Sequence, residues 1–156
     1  MLLGHSLGTA VSVATAALHG RDQTAPYPLG ALIVSGLGHQ LRDLASSNYS
    51  AVPLQDTMEF ITSAIEDKNR LMFSSPDTAD PAAIEASERM NLPFPLAEIV
   101  SLRNVWVPHW RERWASHVVV PVYYALPERE VAFVGTQEHV DECVQAFTKS
   151  NDASES

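Results

Sequence analysis

Apolar positions along this chain fall into two kinds of run. Two runs are short and rich in β-branched residues: Ala31-Leu32-Ile33-Val34-Ser35-Gly36, and Val118-Val119-Val120-Pro121-Val122-Tyr123-Tyr124. Each predicts a buried strand of a parallel sheet. Pro121 falls early in the second run, which suits a strand entry better than a central position. Met1-Leu2-Leu3 predicts the stump of a third strand. From Thr9 to His19 alanines and valines run up to Gly20, which predicts a helix packed closely on the sheet and closed by a glycine C-cap. Arg21 to Pro28 is polar and proline-bearing, hence a loop.

Between the two strand signals, from about Gly38 to Ser116, the pattern is helical. Thr57 to Phe73 places Met58, Ile61 and Ile65 on one face, opposite a wet face that carries Glu59, Glu66 and Asp67. Asp80-Pro81 predicts a helix start, with Asp80 as N-cap and Pro81 in the first turn, running to about Met90. Pro93 and Pro95 break the chain before Leu96 to Asn104 resumes a helical pattern. Pro108 opens a last short helix with Trp110 and Trp114 on one stripe. Trp106, Trp110 and Trp114 recur every fourth residue. They predict a cap helix anchored to the body; the lining of an acyl or aromatic pocket is the functional alternative. After the second strand comes an acidic loop, Pro127 to Glu130. Thr136 then caps a helix with Val140, Cys143, Val144 and Phe147 on its apolar face.

Bulk properties narrow the classes. The chain has 156 residues, of which 46% are hydrophobic, enough for one domain with a real core and too many for a disordered protein. A net charge of -9 and a pI near 5.0 make nucleic acid and anionic membranes poor partners. A single cysteine excludes an internal disulfide and fits a reducing, cytoplasmic setting. Residues 1–18 lack charge, but glycines and a histidine interrupt them and no basic region precedes them. A signal peptide or a membrane span is therefore not expected. No Cys/His cluster has metal-ligand spacing, and no glycine-rich phosphate loop is present, so neither a metal nor a cofactor is expected. Cys143, on an apolar face, reads as a buried thiol.

The chemistry concentrates at Gly4-His5-Ser6-Leu7-Gly8, a G-x-S-x-G run directly ahead of the first helix. A serine hydroxyl attacks a carbonyl only when it is exposed and a base removes its proton. A sharp strand-to-helix turn exposes it, and glycines on either side leave room for that turn. The backbone N–H of Leu7 would then donate to the oxyanion. The competing reading is a serine that merely caps a helix.

With GHSLG, VPVYYALPERE and GTQEHVDECVQAF in this order, the chain resembles the second half of an α/β-hydrolase of the esterase and lipase type, bearing a helical cap. The resemblance implies an α/β fold with few parallel strands flanked by helices. Residues 1–37 would be the elbow, helix and strand of the core, and 38–117 the helical cap insertion. Residues 118–149 would be the second core strand, acid loop and helix, and 150–156 a mobile tail. It implies Ser6 as nucleophile, a small-molecule ester or acyl substrate, and a triad in the order serine, acid, histidine. Glu130 stands at the acid position, where most relatives place aspartate; Glu128 and Asp43 are alternatives.

The base has no occupant. His139 lies nine positions after Glu130 with no strand between, and reads as a surface residue of a first helical turn. His19, His109 and His117 fall in helix, cap or loop contexts, His39 reads as loop packing, and His5 is expected to pack beneath the nucleophile. Removing a triad member costs on the order of a million-fold in rate. The expectations are therefore a serine hydrolase or, in the alternative, a truncated or degenerate inactive relative that binds a partner. The early strands of such a fold would lie outside this chain, which predicts open apolar edges and poor solubility.

Overall fold

The computed structural model describes residues 1–22, 24–25, 27–42, 59–74 and 76–147. Its centre is a three-stranded parallel sheet. Strand β1 is Leu2–His5, helix α1 is Leu7–Arg21, β2 is Leu32–Ser35 and β5 is Val122–Ala125. The spatial order is β1-β2-β5. Register is continuous across it: Leu2 pairs with Leu32 and Leu32 with Val122, while Gly4 pairs with Val34 and Val34 with Tyr124. The chain is thus an α/β protein with a small parallel sheet.

Alternation along the strands gives the sheet two unlike faces. The face bearing Gly4, Val34 and Tyr124 carries α1 and the helix that follows β5. α1 lies so close over β1 that a Cβ on Gly4 would stand 2.6 Å from the carbonyl oxygen of Gly8. On the same face Tyr124 meets Phe147, whose rings are 6.3 Å apart, just beyond helix α6, Gln137–Gln145. Val13, Ala16 and Ala17 of α1 join Leu32, Val34, Trp106, Trp110, Val118, Phe133, Cys143 and Phe147 in one buried cluster. The other face presents the registered row Leu3, Ile33 and Tyr123. Leu3 and Tyr123 are each 66% exposed. Val11 and Leu18 of α1 are exposed as well. The strand signals were therefore doubly apolar without being doubly covered among the described residues.

Gly20 corrects one expectation. It does not end α1, which continues to Arg21 with Asp22 as C-cap. A Cβ there would stand 2.3 Å from the carbonyl oxygen of His117, so the glycine serves the close approach of a later segment. The predicted strand from Val118 also shortens: hydrogen-bonded pairing begins only at Val122, beyond Pro121. Pro121 cannot donate to the ladder, but its carbonyl accepts from the Leu32 N–H at 2.9 Å.

Between β2 and β5 lie α2 (Ile65–Phe73), α3 (Pro81–Arg89), α4 (Leu96–Ser101) and α5 (Val107–Arg113). They are accompanied by an antiparallel pair, β3 (Phe60–Ile61) with β4 (Phe94–Pro95). The helix expected over 57–73 thus begins only at Ile65, and Ile61 is in a strand. Pairing with the proline-bounded Phe94 segment overrides the helical period there, and Thr57 and Met58 lie outside the described residues. The Asp80 cap forms as the sequence implies, its carboxylate accepting from the Ala82 N–H at 2.7 Å.

α4 and α5 are joined by a π-helical turn, Leu102–Trp106, closed by the N–H of Val107 on the carbonyl of Leu102. Pro108 explains it. In a regular α-helix its ring would collide with the carbonyl of Asn104 and its missing N–H would leave a bond unmade. Widening the turn before it removes the collision. Trp114 leaves the helix at φ -132, and its indole stacks on Trp106 at 5.4 Å, so Trp106 rather than Trp110 is its partner. Trp106 and Trp110 are buried in the main core, as anchoring residues should be.

Candidate functional site

Ser6 stands at the bend between β1 and α1. Its backbone is at φ 53, ψ -130, in the left-handed half of conformational space that non-glycine residues avoid. The side chain is exposed. The bend is held from β2. The carbonyl of Ser35 accepts both the N–H of Ser6 at 2.9 Å and the hydroxyl of Thr9 at 2.8 Å, which uses both of its lone pairs. Ser6 makes no side-chain cap bond to the helix, so its hydroxyl is not consumed as an N-cap. Leu7 opens α1, and N–H groups of a first helical turn have no intrahelical acceptor. A strand, an exposed serine in a strained turn and a helix N-terminus are therefore brought together as the motif predicts. Gly4 is demanded by the packing; Gly8 meets nothing within 4 Å and is not.

Glu130 is half-buried, and its carboxylate accepts from the Ala132 N–H at 2.9 Å. Glu128 is exposed, and Asp43 lies outside the described residues. His5 is exposed rather than packed beneath the nucleophile: it sits on the sheet's open face, with Nδ1 3.0 Å from the Ser35 hydroxyl. His19 bonds the carbonyl of Tyr27 at 2.8 Å, and His109 is exposed. Among the described residues no imidazole is hydrogen-bonded to Ser6 or to Glu130. A broad recess lined by His19, Tyr27, Pro28 and Val119 lies at the far end of α1 from Ser6, about 20 Å along the helix axis, and does not serve the serine.

A second constellation joins residues 100 positions apart in the sequence. His139 is buried, against expectation, at 2% side-chain exposure. Its ring stacks on His39 with centroids 4.2 Å apart and planes 24° from parallel. His39 stacks in turn on Trp110. Nδ1 of His39 is 3.2 Å from the sulfur of Cys143. Glu142 closes the group, with Oε2 3.6 Å from His39 Nε2 and 3.8 Å from His139 Nδ1. The loops after β2 and β5 make this possible. The Arg42 N–H bonds the Ala132 carbonyl and the Val134 N–H bonds the Gln40 carbonyl, which draws residue 39 up to the start of α6.

Burial lowers the pKa of both imidazoles; the positive charge that His139 would carry lowers that of His39 further, while the Glu142 carboxylate offsets part of the effect on each ring. Burial also pushes the Cys143 thiol up to about 11 and raises the Tyr124 phenol. Near neutral pH the set is thus two neutral imidazoles beside a thiol. The clue available in the sequence was His139 and Cys143 at i, i+4 on one helix face; the partner 100 positions upstream had none.

No protein-family model, curated protein or solved structure matches the chain. Among the described residues no helix is long and apolar enough to cross a membrane.

Proposed function

We propose that the chain is of α/β-hydrolase type and that Ser6 is the nucleophile of a serine hydrolase acting on an ester-like acyl substrate. The observation that carries the reading is the exposed Ser6 hydroxyl at φ 53, ψ -130, between a parallel strand and a helix N-terminus. Backbone strain of order 1–3 kcal/mol persists only where the surroundings over-determine it, and the two bonds on the Ser35 carbonyl do so here. In the reaction the Ser6 oxygen bonds to the acyl carbon, a general base takes its proton and gives it to the departing alkoxide, and the alcohol leaves. Water, losing a proton to the same base, then bonds to the acyl carbon; the acyl–Ser6 bond breaks, the proton returns to Ser6 and the acid leaves. The Leu7 N–H stabilises the oxyanion of both steps. Glu130 is the candidate acid.

The engagement of Glu130 by Ala132, and of His39 and His139 by each other, favours a second reading: an inactive relative that binds a ligand or partner without turnover. Incubation with a fluorophosphonate probe, followed by mass mapping, separates the two. Labelling at Ser6 that disappears in Ser6→Ala, with hydrolysis of a p-nitrophenyl ester, supports the hydrolase. A folded chain that neither labels nor turns over the ester supports the inactive relative.

A further inference from the structure

We propose that His39, His139 and Cys143 bind a divalent transition-metal ion of the zinc class, with Glu142 orienting His39. The site owes nothing to Ser6 and stands or falls apart from it.

The donor set comes first. Two imidazoles and one thiolate suit Zn2+ and its neighbours and are a poor choice for Mg2+ or Ca2+, which take oxygen. One donor atom from each of the three residues lies within 4.8 Å of the others. Tetrahedral ligation at about 2.0–2.3 Å per bond asks for donors roughly 3.5 Å apart. The His39 Nδ1 to Cys143 sulfur distance of 3.2 Å already satisfies that. The remaining closure is from at most 4.8 Å to about 3.5 Å between the other donor pairs.

The second observation is independent of proximity. Both ring nitrogens of His139 are buried without a hydrogen-bond partner. A buried polar group left unsatisfied costs about 1–3 kcal/mol. The nearest carboxylate oxygen, Oε2 of Glu142, stands 3.8 Å from Nδ1, beyond hydrogen-bond reach. A cation on the lone pair of its unprotonated nitrogen resolves that half of the deficit and leaves the other nitrogen an N–H donor. Two neutral imidazoles stacked against each other do not.

The frame around the set is that of a metal site. His139 and Cys143 are one turn apart on α6, so their side chains project from one face. His39 arrives from the loop that the Arg42 and Val134 N–H bonds fasten to the opposite strand end. With the metal on its Nδ1, the His39 Nε2–H points to the Glu142 carboxylate now 3.6 Å away, the outer-shell arrangement that fixes a ligating imidazole. The thiol loses its proton to solvent on binding, so no oxidant or reductant is needed.

Cobalt is the probe, because thiolate ligation gives a sulfur-to-cobalt charge-transfer band and tetrahedral ligation gives intense visible bands. Cys143 is the only cysteine, so the charge-transfer band reports it alone. The untagged, metal-stripped full chain is expected to develop both bands with one equivalent of Co2+ and to lose them on adding one equivalent of Zn2+. Cys143→Ser removes the charge-transfer band, and His39→Gln and His139→Asn each weaken binding by more than tenfold. Glu142→Ala keeps the band but binds about 10–100-fold more weakly. Ser6→Ala leaves it unchanged. A chain with native circular dichroism and no charge-transfer band at excess Co2+ overturns the proposal. So does a His39→Gln variant that binds as tightly as the parent; its half-buried position lets it fold where the buried His139 variant fails.

Discussion

The carbonyl oxygen of Ser35 holds Ser6 in place: it accepts the Ser6 N–H at 2.9 Å while the Thr9 hydroxyl bonds it from the next turn at 2.8 Å. The bend is thus clamped by the neighbouring strand and by its own helix.

Ser6→Gly tests whether the clamp stores strain. Glycine adopts φ 53, ψ -130 without a Cβ penalty, at the cost of more freedom lost from the unfolded chain. The variant is expected to be more stable by about 1 kcal/mol in urea unfolding. An unchanged or lower midpoint would show that the turn is relaxed.

Gly8 and Gly20 both sit in α1 and should respond in opposite directions. Alanine at Gly8 meets open space and gains up to about 1 kcal/mol of helix propensity. Alanine at Gly20 runs into the His117 carbonyl, a backbone atom that cannot swing aside, and overpacking costs about 1–3 kcal/mol. Thermal melts of the two variants should bracket the parent. A stabilised Gly20→Ala chain would mean that the segment at 117 does not pack on α1.

Trp110 is 4% exposed and contacts Trp106, Phe147 and His39. Truncation to alanine should cost about 3–5 kcal/mol. The same change at His109, exposed one residue earlier, should stay within about 0.5 kcal/mol. Equal midpoints for the two variants would place the helix face wrongly.

Leu3 and Tyr123 form the open row of the sheet with Ile33 between them, and β1 pairs on one side only among the described residues. Open strand edges and apolar faces recruit other chains. Replacing Leu3 and Tyr123 together by lysine should lower self-association in sedimentation velocity while shifting the melt little. Aggregation that persists unchanged would put its source on another surface.

What the sequence disclosed was local. The bend at Ser6, the Asp80 cap and the Thr136 cap are each written within four residues, and each is present. The parallel strands were legible because β-branched runs of that length have few other homes. Distant contacts were hidden. Nothing near Gly20 announces His117, nothing near Ile61 announces Phe94, and His39 meets α6 only because two loops are tied together far along the chain. The proposed triad suffers in the same way. Its proposed nucleophile sits in a local turn, whereas an acid and a base would be defined by where separate loops converge.

The widened turn at Leu102–Trp106 acts as a phase adjuster. A residue added to a helical turn rotates everything after it by about 100°. That rotation carries Trp110 onto the sheet side and its neighbours Arg111 and Glu112 out to water. A single proline thereby decides which way Trp110 looks, so the angular setting of α5 is encoded at one bend rather than spread along its length.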